Sequence, residues 1–114
     1  MEKTMNINGK EYPTPTPITS GQRAYLRSIA ADAPTIMQIG KGGITENLML
    51  TVSDALEARE LVKMSVLENC EYTAREAAET LAQSLNAQVV SVIGRKIILF
   101  RRSTNKKNRI ELPR

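Results

Sequence analysis

The chain has no histidine, no tryptophan and one cysteine, and its 114 residues include only four aromatic side chains: Tyr12, Tyr25, Tyr72 and Phe100. Each shortage excludes something. Without histidine, a general base would have to be a carboxylate, a lysine or a tyrosine held at a shifted pKa. A zinc site loses its usual ligands when imidazole is absent and a single thiol remains. Cys70 has no partner for an internal disulfide, which fits a reducing compartment. It also has no histidine partner and no cationic cluster nearby in sequence to activate it as a nucleophile. No run approaches the ~20 apolar residues of a membrane helix, and no apolar core follows Met1 as in a signal peptide. A cytoplasmic protein without a membrane partner is expected. The scarcity of aromatics argues against a platform on which single-stranded bases are stacked and read one by one.

What is present is ordinary in amount and uneven in placement. Apolar residues make up 41% and charged residues 25% of the chain, enough for one domain with its own core. The formal charge is +4, but residues 95–114 hold eight basic side chains against Glu111, a net +7, while residues 1–94 carry −3. A polyanionic partner is one reading of that asymmetry, and a solvated basic tail is the other.

The order of elements follows from caps and periodicity. Residues 1–18, with Pro13-Thr14-Pro15-Thr16-Pro17, read as a flexible extension, although Asn8-Gly9 permits a small hairpin. Thr19 and Gln22 form a capping box for a first helix that Pro34 stops by about Ala31 or Asp32. On it Tyr25, Leu26 and Ile29 share the expected core face, and Arg23 and Arg27 lie on another. A short strand is expected over 35–39, and Thr45 caps a second helix over 46–57. Residues 61–67 alternate as a strand with one face open to water at least locally. Thr73 and Glu76 make a second capping box, and Ala74, Ala77, Ala78, Leu81 and Leu85 form the stripe of a third helix that ends at Asn86. Two β-branched runs, over 88–93 and 96–101, flank Gly94-Arg95 as a type II′ hairpin would. The result is an α/β domain over 19–102, ordered α-β-α-β-α-β-β, with one mixed four-stranded sheet. Its two crossovers are expected to make parallel neighbours, and the hairpin adds an antiparallel strand. Residues 103–114 read as a mobile basic tail on which Ile110 and Leu112 dock weakly at most.

One loop has the composition of a binding element. Gly40-Lys41-Gly42-Gly43 lies between the first core strand and the capped second helix. Glycine keeps no β-carbon between backbone N–H groups and an oxyanion, and the helix adds its free N–H groups and positive end. The loop has neither the spacing nor the Gly-Lys-Ser/Thr ending of a P-loop, and Thr45 stands where a dinucleotide fingerprint needs glycine. What remains is a Gly-x-x-Gly of the kind that clamps a nucleic-acid backbone, or a tight turn that needs glycine for its angles alone. With few aromatics and many basic side chains, phosphates and shape are what this chain is equipped to recognise, so structured or double-stranded RNA suits it better than a single strand read base by base, and DNA fits the same argument. The carboxylates lie mostly opposite the apolar stripes. Glu57 and Glu60, flanking Arg59, suit local ion pairing better than acid–base work.

The segments around Thr19-Ser20-Gly21-Gln22-Arg23, Gln38-Ile39-Gly40-Lys41-Gly42-Gly43-Ile44-Thr45, Ala55-Leu56-Glu57-Ala58-Arg59-Glu60-Leu61-Val62-Lys63 and Val92-Ile93-Gly94-Arg95-Lys96 resemble the YhbY-type RNA-binding proteins. These are the bacterial branch of the chloroplast RNA splicing and ribosome maturation (CRM) domain family. The resemblance runs from about Thr19 to Arg101 and departs at Gly21, where the family usually has lysine. It implies a fold similar to the C-terminal domain of translation initiation factor three and no enzymatic activity or cofactor. It also implies binding to ribosomal RNA of large-subunit precursors. Carried over by position, Gly40, Lys41, Gly42 and Gly43 form the core of the site. Arg23, Arg27, Arg59, Lys63, Arg95, Lys96 and Arg101 supply the basic surface, in a protein expected to be monomeric. A different class, a protein–protein adaptor on ribosomal particles, would use the acidic third helix (Glu76, Glu79, Gln83) or the open sheet face.

Overall fold

The computed structural model describes residues 4–7, 10–13 and 17–113. Strands β1 (Thr4–Ile7) and β2 (Lys10–Pro13) pair antiparallel as a sheet of their own, so the extension contains the ladder that Asn8-Gly9 permitted. Asn8, Gly9 and 14–16 lie outside the described residues. The domain proper runs α1 (Ser20–Ala31), β3 (Met37–Ile39), α2 (Glu46–Arg59), β4 (Leu61–Val66), α3 (Ala74–Leu85), β5 (Gln88–Ile93) and β6 (Lys96–Phe100). Among the described residues no helix is long and apolar enough to cross a membrane.

The caps act where the sequence placed them. Thr19 with Gln22 and Thr73 with Glu76 form complete capping boxes, and Thr45 Oγ1 accepts from Leu48 N at 3.1 Å. Asn86 ends α3 in the left-handed conformation (φ 51°), and Gly94 takes φ 58° at the hairpin turn.

The sheet is mixed, in the order β3-β4-β6-β5. β3 runs parallel to β4, but β6 lies between β4 and β5 and is antiparallel to both. The second crossover therefore skips a position, contrary to the expectation of parallel neighbours. Burial gives the reason. Ile97, Ile98, Leu99 and Phe100 are all buried, so β6 is apolar on both faces and takes a central place, as such strands do. β5, with Ile93 63% exposed, can serve as an edge.

Two cores result. Ile97 and Leu99 join Val62, Met64 and the apolar faces of α2 and α3 on one side. Ile98 and Phe100 join Leu26 and Ala30 of α1 on the other, with Ile18, Ile110 and Leu112 packed around them. The face expected to be open is thus largely closed. α1 crosses it, Lys63 is half-buried, and Ser65 is buried. Tyr25, read as a core residue of α1, is instead 40% exposed, and Ala30 takes the position below Leu26.

The mobile tail is also corrected. Residues 103–113 fold back onto the C-terminal end of α2, including a 3-10 turn at Lys106–Asn108. Ser103 is buried, its N–H donates to Glu60 Oε2 at 2.6 Å, and its Oγ donates to the Glu57 carbonyl at 2.7 Å. Glu60, fully buried at φ 65°, also accepts from Arg102 Nη1 at 3.2 Å and from Ile110 N. The ion pair foreseen for Glu60 therefore exists, but it reaches forward across the fold to Arg102.

Candidate nucleic-acid interface

The glycine loop leaves β3 at Ile39, whose carbonyl accepts from Leu67 N at 2.8 Å, and closes when Gly43 N donates to the Gly40 carbonyl at 2.9 Å. Its glycines do different things. Gly43 needs its φ of 68°, and a β-carbon there would lie 3.4 Å from the ring of Tyr72. A β-carbon at Gly40 would meet Leu67 Cδ1 at 3.4 Å and Asn69 Oδ1 at 3.6 Å, an ordinary contact. Gly42 has no positive φ, and a β-carbon there would meet nothing within 4 Å. A turn that needed glycine only for its angles would have needed it at Gly43 alone.

Lys41 and Gly42 are exposed at the tip, beside the start of α2. The Leu48 N–H is taken by Thr45, which leaves the N–H groups of Glu46 and Asn47 as the first-turn donors without an intrahelical acceptor. The exposed Glu46 carboxylate in that turn offsets part of the positive end.

The hairpin turn reaches the same end of the sheet. Val66 N donates to the Arg95 carbonyl at 2.8 Å, and Arg95 Nη2 lies 3.4 Å from Glu68 Oε1. Both side chains are mostly exposed, and a pair of that kind contributes about 0–1 kcal/mol, so Arg95 is easily released to a stronger anion. Lys96, exposed, donates to Thr35 Oγ1 at 3.2 Å. A shallow cleft of about 260 Å³ lies between this turn and the segment that follows β4, lined by Leu67, Glu68, Cys70, Tyr72 and Arg95 among others.

The remaining predicted bases divide. α1 starts at the far end of the sheet, where Ile18 N donates to Gln88 Oε1 at 2.8 Å, and ends over Lys63. Exposed Arg27 is therefore nearer the glycine loop, and exposed Arg23 nearer the opposite end. Arg59 closes α2, about 20 Å along the helix from the loop, and is not brought to it. Two residues leave the interface. Lys63 Nζ donates to the carbonyls of Ala30 (3.2 Å) and Ala33 (3.4 Å) and caps α1. Arg101 is 2% exposed, with its guanidinium on the Leu85 carbonyl at 3.0 Å and on Ser53 O and Oγ at 2.8 and 3.0 Å. It holds α2, α3 and β6 together and cannot meet a ligand. Sequence reasoning did not find Asn69 and Tyr72 under the loop. A tyrosine beside the cap Thr73 was a faint signal, but its partner Gly43 is 29 positions away.

The acids of the adaptor surface on α3 have local partners and stay exposed. Glu76 accepts from Thr73 N at 2.9 Å, and its pKa is lowered by the backbone and then the side-chain hydrogen bond of Thr73. Glu79 pairs with Arg75 at 3.8 Å. Among the described residues no group of three or more His, Cys, Asp or Glu side chains is gathered to hold a metal ion.

Residues 18–101 match the family model described as the CRS1 / YhbY (CRM) domain. The chain is 44% identical over 96 residues to the Bacillus subtilis protein named "Probable RNA-binding protein YqeI", covering 84% of this chain and 99% of that protein. It is 27% identical over 99 residues to a Haemophilus influenzae "RNA-binding protein", covering 87% and 98%. The solution structure of a Staphylococcus aureus protein, 46% identical, superposes with a TM-score of 0.70 over 84% of this chain and 99% of its own.

Proposed function

The chain belongs to the CRS1 / YhbY (CRM) domain family, and from that premise we propose that it is a non-catalytic RNA-binding protein. Its glycine loop, with Lys41, Arg95 and Lys96, holds phosphates of structured ribosomal RNA during assembly of the large subunit, and it acts in the cytoplasm as a monomer. The observation that carries this reading is Gly42. Neither its angles nor its neighbours require glycine, and a close-approaching backbone from outside would. The names of the Bacillus and Haemophilus relatives support RNA as the ligand, and the resemblance of the loop, the first helix and the hairpin turn supports the ribosomal setting. The adaptor reading loses support at the sheet face, which α1 largely covers.

The test is a salt titration of binding to large-subunit ribosomal RNA fragments. Three phosphate contacts give a fall of log K with log salt of slope about −2 to −3. An affinity independent of salt refutes the phosphate mechanism.

A further inference from the structure

The folded C-terminal segment is anchored with a pronounced separation of charge. Its anchors are acids turned inward. Glu60 gives its buried carboxylate to Ser103 N, Ile110 N and Arg102 Nη1. Glu57 accepts from Thr104 N at 3.0 Å and from Thr104 Oγ1, and its carbonyl accepts from Asn108 Nδ2 at 3.1 Å. Three bases at the same end face outward. Lys106 and Lys107 are exposed on the 3-10 turn, and Arg59 is exposed at the end of α2 against which that turn packs. None of the three makes an ion pair among the described residues, where the pairs are Arg75–Glu79, Arg95–Glu68 and Arg102–Glu60. Glu111 is the one carboxylate the segment itself carries.

A tail that only aids solubility needs no fixed position. This one is held by a non-glycine residue at positive φ and by a buried carboxylate, both unfavourable unless the surrounding structure demands them. The family match ends at residue 101, so the segment lies beyond it.

We propose that Lys106, Lys107 and Arg59 form a second phosphate-contact surface for the same RNA, at the opposite end of the domain from the glycine loop. The inference rests on the reading of the chain as an RNA-binding protein. With the length of α2 between them, about 20 Å, the two surfaces engage separate backbone stretches of one folded RNA.

The test uses the full chain with Lys106→Ala and Lys107→Ala together, against an RNA fragment that the wild type binds. Two lost contacts reduce the log–log salt slope by about 1.5, which over the decade from 1 M to 0.1 M salt is roughly a 30-fold loss of affinity. The melting temperature stays at the wild-type value, and the loss adds in log units to that of Gly42→Asp, because the two surfaces share no residue. A double variant with wild-type slope and affinity, alongside a Gly42→Asp variant that binds weakly, overturns the second surface and leaves the proposed function standing. A lowered melting temperature with an unchanged slope overturns it as well, since the lysines would then serve only the negative end of α2. A wild-type protein that binds no RNA overturns both readings.

Discussion

Gly42→Asp separates binding from folding at the loop tip. The position has an ordinary φ and open space around a β-carbon, so the substitution should change stability by no more than about 0.5 kcal/mol. Gly43→Ala is the control in the other direction. It places a side chain at φ 68° against the ring of Tyr72 and should lose about 1–2 kcal/mol. On RNA the order reverses. A carboxylate about 5 Å from a bound phosphate is repelled by about 0.8 kcal/mol at the dielectric of water and by about 3.3 kcal/mol at an effective value of 20. Binding should therefore weaken between about 4-fold and 200-fold. Filter binding at fixed moderate salt measures it, with thermal melts of each variant in parallel. A Gly42→Asp protein that melts like the wild type and binds RNA as tightly refutes the assignment of the loop as a phosphate seat.

Arg101→Met is expected to behave in the opposite way. It removes three buried hydrogen bonds and leaves the Leu85 carbonyl at the end of α3 without that partner, partly offset because no charge is then buried, for a net loss of about 3 kcal/mol. Melting should fall by roughly 10–20 °C, while RNA affinity of the folded protein in the cold stays within about twofold. Unchanged melting with weakened RNA binding would return Arg101 to the interface. The attachment of the C-terminal segment should depend on acid. Burial raises the Glu57 carboxyl, but the side-chain and backbone hydrogen bonds of Thr104, the charge of Arg101 and the Ser103 hydroxyl outweigh it and hold the group below its ordinary 4.5. A carboxyl depressed on folding contributes fully above its unfolded value and loses that contribution as pH falls through the lower folded one. The Thr104 amide resonance should therefore move with a midpoint below 4.5, and a midpoint at or above 4.5 contradicts the bond network.

Signals that act within one turn of chain were legible. Thr19, Thr45 and Thr73 cap the helices because a cap needs only an oxygen and an N–H three residues away, both written locally. The stripe of α3 and the turn at Gly94 were readable for the same reason, and the residues of four segments, the glycine loop among them, carried the family resemblance. Two tertiary details changed the meaning of the loop. Gly43 answers to Tyr72, and Gly42 answers to nothing inside the protein.

By itself the sequence determined the kinds of element, their order, their caps and the sign of every charge. Only the tertiary structure decided where those charges point. Arg101 turns inward because Ser53, 48 positions away, and the end of α3 offer it acceptors. Lys63 is held by the end of α1, and the C-terminal segment is fixed by two glutamates more than forty positions earlier. β6 displaces β5 from the place beside β4 because it alone is apolar on both faces through most of its length. A long charged side chain reaches several ångströms in any direction. Its role is set by whichever acceptor the fold brings within that reach, and sequence spacing does not encode that proximity.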